Sequence, residues 1–305
     1  MRNFLTTEGV ERGDLEGLLD LSEEFIEVLE RPIPKVPALR GRTVSTLFFE
    51  PSTRTRLSFE RAAKALSADT MTFSPGTSAL SKGESLKDTA LTLEAMGSDL
   101  MVVRHAATGA PWRIAEWVQV PVVNGGDGAH QHPTQALLDA LTIRRHFGKL
   151  DGLRVAMVGD IRHSRVARSN VFAFTSLGAE VLLVAPRTLL PVDLTGWPVQ
   201  LAASLDEVLG AVEVLYLLRV QTERGGASVF PSLPEYVSRF GLTRQRFRRL
   251  PLHAVVMHPG PMNRGVEIAP EVADHQRSLI TQQVAHGVAV RMAVLFRMLG
   301  GEGPG

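Results

Sequence analysis

The sequence predicts an α/β protein built from two doubly wound parallel-sheet domains. Its 305 residues exceed the usual length of a single domain. Short apolar runs alternate with segments of helical periodicity, and this alternation starts again after Gly152. Strands that alternate with helices form a mostly parallel sheet covered on both faces. We therefore expect one such sheet in each half of the chain.

The first half carries four predicted strands. A helical pattern at 15–29 precedes them and ends before a proline-rich stretch. The strands are predicted at 43–49, 70–73, 100–104 and 121–123, and the helices between them at 53–68, 85–96 and 112–118.

A longer helix at 133–147 contains the predicted domain junction, and the β–α pattern resumes after it. Strands are predicted at 153–159, 180–185, 212–218 and 255–257, with helices at 166–177 and 205–211. We expect the final helix, 276–299, to be amphipathic. Its pattern alone allows it to pack on either domain, and our predicted boundaries return it to the first. Its apolar stripe would contain Ile280, Val284, Val288, Met292, Leu295 and Leu299. The predicted domains are 1–134 with 284–305, and 135–283, joined by these two long helices.

The composition excludes several classes of protein. The 33 basic residues nearly balance the 32 acidic ones, which argues against a nucleic-acid or anionic-membrane partner. The absence of cysteine excludes disulfides and thiolate chemistry. The N-terminal stretch lacks the apolar core of a signal peptide, and no segment reaches the roughly 18 apolar residues that span a bilayer. We expect a cytoplasmic enzyme that acts on small molecules.

The most informative segment runs from Ser52 to Arg56, between a predicted strand and a predicted helix. At a helix N-terminus the first N–H groups have no helical partner and the dipole is positive, so anions bind there readily. Ser52, Thr53 and Thr55 add hydroxyl groups, and Arg54 adds a cation suited to phosphate oxygens. The alternative is that Ser52 is only a helix cap and the arginines form a solvated face.

This Ser-Thr-Arg-Thr-Arg string resembles the carbamoyl phosphate signature of the aspartate and ornithine carbamoyltransferases. Further strings resemble the same family, in the family's order and spacing, over nearly the whole chain. They are Lys82-Gly83-Glu84-Ser85 preceded by Ser78, Arg104-His105, His132-Pro133-Thr134-Gln135, Arg219-Val220-Gln221 and His258-Pro259-Gly260-Pro261.

The discriminating positions favour aspartate as the acceptor of the carbamoyl group. Phe49-Glu50-Pro51 resembles the aspartate enzymes, and Arg219 with Gln221 offers a cation and an amide to an acidic side chain. Ornithine enzymes typically carry a His-Cys-Leu-Pro string, and this chain has no cysteine. Two alternatives stay open: a carbamoyltransferase with another acceptor such as ornithine, and a silent homologue that only binds anions.

The resemblance implies a role for each matching residue. The carbonyl oxygen of carbamoyl phosphate would be polarised by Thr55, Arg104 and His132, and its NH2 group would be held by Gln135 and the backbone near Pro259 and Gly260. The phosphate would be held by Ser52, Thr53, Arg54, Thr55 and Arg104, and aspartate by Lys82, Arg165, Arg219 and Gln221. The predicted catalytic group comprises His132, Arg104, Thr55, Lys82 and Arg54.

The resemblance also implies domain closure and assembly. Glu50 would bridge the two domains by pairing with Arg165 and Arg224. Ser78 and Lys82 would reach into the site of a neighbouring subunit, which makes the enzyme a homotrimer with shared sites. The reaction is a step of de novo pyrimidine biosynthesis, and a regulatory chain or a dihydroorotase is a possible partner.

We expect neither a cofactor nor a metal. The turn Val158-Gly159-Asp160 follows a predicted strand but lacks the glycine spacing of a dinucleotide site. The nine histidines show no spacing typical of metal ligands. Gly260 stands where many members of the family that this chain resembles carry leucine, so only backbone contacts are expected from that position.

Overall fold

The computed structural model describes residues 1–73, 84–220 and 232–300. The chain divides into two compact units, Met1–Leu141 with Ala285–Gly305, and Thr142–Val284. Each unit contains one parallel β-sheet with helices, so the predicted fold class is confirmed. The last helix ends in the first unit, as the sequence predicted.

The first unit has a four-stranded sheet of order β2-β1-β3-β4 in which all neighbours are parallel. The central strands β1 and β3 are almost wholly buried, as expected for a sheet covered on both faces. The strands are β1 (Thr43–Phe48), β2 (Asp69–Phe73), β3 (Leu100–His105) and β4 (Val122–Asp127). The helices are α1 (Arg12–Glu30), α2 (Thr53–Ala65), α3 (Leu86–Ala95), α4 (Ala110–Trp117) and α5 (Pro133–Phe147), which continues into the second unit.

The second unit has a five-stranded parallel sheet of order β7-β6-β5-β8-β9. Its strands are β5 (Arg154–Val158), β6 (Glu180–Val184), β7 (Val199–Ala202), β8 (Val214–Leu217) and β9 (Val255–Met257). The α-helices described there are α6 (Arg165–Ser176), α7 (Leu205–Val208), α8 (Leu233–Phe240), α9 (Arg244–Phe247) and α10 (Pro270–Ala273). The helix α11 (Ile280–Met298) then returns to the first unit.

Each sheet has one point at which the strand order reverses. In the first sheet β2 lies on one side of β1 and β3 on the other, and in the second sheet β6 and β8 flank β5 in the same way. Ligands of open α/β sheets bind beyond the carboxyl ends of the strands at such a switch point. The fold therefore directs attention to the loops after β1 and β3, and to those after β5 and β8.

The close approach of β5 and β8 requires a glycine. Gly159 follows β5 with a φ of 126°, and a Cβ atom there would lie 2.7 Å from the carbonyl oxygen of Leu218. Another residue at this position would push the two strand ends apart, because that oxygen belongs to the backbone and cannot rotate away.

The structure corrects the expected pattern of the last helix. Val284, placed on the apolar stripe, is 59% exposed, whereas every residue from Ala289 to Phe296 is buried. The C-terminal half of α11 is therefore surrounded on all sides, and a single apolar face does not describe it. None of the helices in the described part of the chain has the length and apolar character that a membrane crossing requires.

Candidate active site

The helix α2 begins directly beyond the carboxyl end of β1. Ser52 occupies the position before the first helical residue, but its side chain makes no capping hydrogen bond. The first turn of α2 contains no acidic residue. The positive end of this helix is therefore left without a neutralising side chain in its own first turn, as an anion site requires.

The side chains of this turn differ in burial. Thr53 is exposed, whereas Thr55 is buried and its carbonyl oxygen accepts a hydrogen bond from Ser58 Oγ across 3.1 Å. Desolvation lowers the pKa of Arg54 from its ordinary value, but a guanidinium keeps its charge at neutral pH. Helix, hydroxyl groups and cation thus occupy one turn at the first switch point.

Arg104 lies near the end of β3, the strand next to β1. Its Nη1 donates to the carbonyl oxygen of Gly125 across 3.0 Å, and its Nε lies 3.5 Å from Oε2 of Glu50. The backbone N–H of Phe49 donates to the Arg104 carbonyl oxygen at 2.8 Å, which holds the two strand ends together. Glu50, predicted to bridge the domains, thus has a partner within its own unit.

A buried aspartate supports the turn that precedes His132. Asp127, at the end of β4, accepts hydrogen bonds from Asn124 Nδ2 at 2.8 Å, Gly109 N at 2.7 Å and Gln131 N at 3.0 Å. Burial alone would raise the pKa of Asp127, but these contacts and the neighbouring His130 hold it below its usual value. The His-Pro-Thr-Gln string begins at His132, five residues after Asp127, and nothing in the sequence pattern marked this aspartate.

His132 and Gln135 occupy the N-terminus of α5. The His132 side chain is buried, and its carbonyl oxygen accepts from the backbone N–H groups of Gln135 at 3.0 Å and Ala136 at 3.3 Å. The side chain of Gln135 is nearly buried and donates through Nε2 to Oδ1 of Asp139 at 3.0 Å. Because α5 follows β4, these residues belong to the same sheet edge as Arg104.

The second unit places two predicted arginines at its own switch point. Arg165 is the first residue of α6, which Ser164 caps by accepting from Ala167 N at 3.1 Å. Arg219 lies two residues beyond β8. Both side chains are half-buried.

The loop after β9 carries Pro259 and Gly260. Gly260 has a φ of 61°, a conformation that favours glycine over a residue with a Cβ atom. The loop is held from inside by Glu267, whose Oε1 accepts from Asn263 N at 2.5 Å and lies 3.2 Å from His258 Nε2. Glu267 and His258 are both buried, and nothing in their spacing alone marked Glu267 in the sequence.

The side chain of Tyr236 is buried as well. Burial, together with the negative charges of Glu267 and Asp160, raises the pKa of Tyr236 well above its ordinary value. The tyrosine therefore stays protonated at any physiological pH.

Four of the predicted site residues lie outside the described residues. They are Ser78, Lys82, Gln221 and Arg224. Across 1–73, 84–220 and 232–300, no three His, Asp or Glu side chains are grouped as metal ligands would be.

Chemically, the first unit offers oriented hydrogen-bond donors and cations for a phosphorylated substrate, and the second offers arginines for a carboxylate. Features of this kind suit a group-transfer enzyme of the two-sheet α/β class, in which positioning and charge stabilisation carry the reaction.

Comparison with known proteins gives the family. Residues 2–145 match the model described as aspartate/ornithine carbamoyltransferase, carbamoyl-P binding domain. Residues 151–298 match the corresponding Asp/Orn binding domain. The chain belongs to the aspartate/ornithine carbamoyltransferase family.

Individual relatives match along their whole length. The aspartate carbamoyltransferase catalytic subunit of Acidothermus cellulolyticus is 60% identical, over 100% of this chain and 94% of that protein. That of Thermobifida fusca is 58% identical over 99% and 96%. Aspartate transcarbamoylase of Trypanosoma cruzi, solved in complex with carbamoyl phosphate and aspartate, superimposes with a TM-score of 0.89 at 32% identity, covering 97% of this chain and 96% of that one.

Proposed function

We propose that this protein transfers the carbamoyl group of carbamoyl phosphate to the amino group of L-aspartate, giving N-carbamoyl-L-aspartate and phosphate. The observation that carries the choice of acceptor is the pair of arginines, Arg165 and Arg219, at the switch point of the second sheet. Two guanidinium groups suit the two carboxylates of aspartate, whereas ornithine would bring a second cation. The name shared by the relatives and the aspartate in the related crystal structure support the same acceptor.

In this proposal the two units divide the substrates between them. The unit that contains β1 to β4 binds carbamoyl phosphate, and the unit that contains β5 to β9 binds aspartate. The finer boundaries given above, 1–134 with 284–305 and 135–283, stay a prediction.

The neutral amine of aspartate attacks the carbonyl carbon, the bond from that carbon to the phosphate oxygen breaks, and one amine proton leaves with the departing phosphate. Negative charge grows on the carbonyl oxygen in the tetrahedral intermediate, and then on the departing phosphate. Donors fixed at the carbonyl oxygen contribute roughly 3 kcal/mol each to such reactions. Thr55, Arg104 and His132 are our candidates for these donors.

The phosphate is the second place where charge collects. Ser52, Thr53 and Arg54, on the first turn of α2 and just before it, are proposed to hold it together with the helix N-terminus. Gln135 and the backbone near Pro259 would hold the carbamoyl NH2 group, so that the carbon faces the incoming amine.

We further propose that Glu50 and Arg224 take part in closing the two units over the substrates, which excludes water from a reactive anhydride. A homotrimer with shared sites, to which Ser78 and Lys82 of a neighbouring chain contribute, belongs to the same proposal. The cytoplasmic location, the role in de novo pyrimidine biosynthesis and any regulatory chain or dihydroorotase partner stay predictions from the resemblance.

The test is product analysis by mass spectrometry. Purified protein receives carbamoyl phosphate with L-aspartate in one tube and with L-ornithine in another, and the Arg54→Ala variant serves as the control. We expect carbamoyl aspartate from the first tube and no citrulline from the second. Citrulline would overturn the assignment of aspartate as the acceptor. If neither tube gave a product, the result would favour the alternative of a silent homologue that only binds anions.

A further inference from the structure

A buried pair of opposite charges lies behind the N-terminal turn of α5. Asp139 on α5 and Arg291 on α11 are both buried within the first unit. Desolvation lowers the pKa of Arg291 to about 10, and the negative charge of Asp139 acts against this lowering. Arg291 therefore remains a cation at neutral pH although its side chain is buried.

The protein accommodates this cation with specific contacts. Arg291 Nη1 donates to the carbonyl oxygen of Gly287 at 2.8 Å, and its guanidinium carbon lies 5.1 Å from the centre of the Phe59 ring on α2. A Cβ atom at Gly287 would lie 2.5 Å from Nη1, so the glycine leaves the room that the guanidinium occupies. Burying two charges costs stability, since apolar residues of similar volume often serve the packing as well or better. A role beyond packing would explain why the pair is there.

The contact that points to such a role is the one with Gln135. A carboxylate has only acceptor atoms, so the group that Gln135 turns toward Asp139 must be its NH2. The distance from Nε2 to Oδ1 is 3.0 Å, and both side chains are nearly buried. A flipped amide would set two oxygens against each other away from water, which is unfavourable. Asp139 thus fixes which end of the Gln135 amide remains for another partner, and that end is the oxygen.

We propose that Asp139 is a positioning residue that fixes the Gln135 amide with its oxygen toward the NH2 group of carbamoyl phosphate. This inference rests on the proposed function, because it names a feature of the same substrate. The amide oxygen can accept a hydrogen bond from the NH2 group of a carbamoyl group, but it can form no such bond with the methyl group of an acetyl group. The arrangement therefore makes this site selective for a carbamoyl over an acetyl group.

The test measures this selectivity by binding, without turnover. The dissociation constants of freshly dissolved carbamoyl phosphate and of acetyl phosphate are determined by calorimetry for the wild-type protein and its variants. In Asp139→Asn the side chain can donate as well as accept, so the orientation of Gln135 is no longer enforced. We expect carbamoyl phosphate to bind about tenfold more weakly, as the loss of one oriented hydrogen bond implies, and acetyl phosphate to bind as before.

Four further variants separate positioning from packing. Asp139→Asn combined with Arg291→Met leaves no unpaired buried charge, and it should show the same loss of selectivity if the single variant does not fold. Gln135→Leu should lose the same selectivity, and adding Asp139→Asn to it should change the ratio no further. Phe59→Leu removes packing against Arg291 without touching Gln135, so it should lower stability and keep the ratio.

The outcomes are distinct. The positioning role would be overturned if the Asp139 variants left the ratio of the two dissociation constants unchanged, including by weakening both ligands equally. It would also be overturned if Phe59→Leu changed that ratio, or if the wild-type protein bound both compounds equally. A wild-type protein that binds neither compound and forms no carbamoyl aspartate would refute the proposed function itself.

Discussion

The backbone N–H of Gly260 donates a hydrogen bond to Nδ1 of His258 across 2.8 Å, so the imidazole must accept at that atom. A neutral ring then carries its proton on Nε2, which lies 3.2 Å from Oε1 of Glu267 and donates to it. The loop proposed to hold the carbamoyl group is thus tied to a buried carboxylate through one histidine.

Removing that carboxylate should loosen the loop. Glu267→Ala leaves His258 Nε2–H and Asn263 N–H without their acceptor in a buried place, and each lost partner costs about 1–3 kcal/mol. We expect a fall of roughly 2–4 kcal/mol in the free energy of unfolding, measured with denaturant, together with a lower kcat/KM. Glu267→Gln keeps one acceptor and should lose less; equal losses in the two variants would contradict this account.

The two switch points predict separable effects on the two substrates. Arg219→Ala should raise the KM for aspartate by roughly 10-fold to 100-fold, because a charged hydrogen bond contributes about 1.5–3 kcal/mol, while phosphate binding stays unchanged. Arg54→Ala should weaken phosphate binding instead. Steady-state kinetics and phosphate competition measure both, and a similar loss of both ligands in either variant would argue against the division.

An added carboxylate at the start of α2 should have two effects of opposite sign. Thr53→Asp places a negative charge at the positive end of the helix, which stabilises an exposed helix by about 0.3–1 kcal/mol. The same charge repels a phosphate at that position. We expect a slightly higher melting temperature and a clearly weaker affinity for phosphate; Thr53→Asn, which is uncharged, is the matched control and should affect phosphate binding much less.

The lowered pKa of Asp127 predicts that the stability of the protein depends on pH. Its pKa is lower in the folded protein than the unfolded value of about 3.9, so its contribution is present above that value and disappears as the pH falls through the folded pKa. Asp127→Asn should therefore be less stable than the wild type at pH 7, and the difference should shrink below about pH 4. Denaturant unfolding at several pH values measures this, and a difference that stays constant down to acid would exclude the carboxylate as its source.

Shared sites predict complementation between inactive chains. Lys82→Ala and Arg54→Ala would damage the contributions of different subunits to one site, so trimers mixed from both should contain some intact sites. Activity should return when the two inactive proteins are unfolded and refolded together, and each variant refolded alone is the control. Mixed trimers, identified by a tag on one variant, that stay inactive would contradict sharing.

Much of the fold could be predicted because strands and helices of a parallel sheet leave strong local patterns. The helix at 133–147 and the strand at 255–257 agree with the structure to the residue. The strand β7 was missed because it lies at the sheet edge, has only four residues and is partly or fully solvent-exposed along its length, so it lacks the continuous apolar run of a buried strand. The helices α8, α9 and α10 were missed as well, and α9 and α10 are single turns too short to show periodicity.

The residues of the candidate site also fall into those that the sequence predicted and those that it did not. Residues expected to touch the substrates, such as Ser52 and Arg104, occur in strings that the family resemblance supplies. The residues that hold them in place belong to no such string: Asp127, Asp139 and Glu267 each accept from a group four residues away, and that spacing marks a contact only once the fold has placed the turn or helix at the site.

The two reversals of strand order have an evolutionary consequence. If each substrate binds at the switch point of its own sheet, the carbamoyl donor and the acceptor contact separate sets of loops. Mutations in the loops after β5 and β8 can then alter the choice of acceptor, while the carbamoyl phosphate site after β1 and β3 stays unchanged. One ancestral scaffold could in this way give rise to enzymes that carbamoylate different amines.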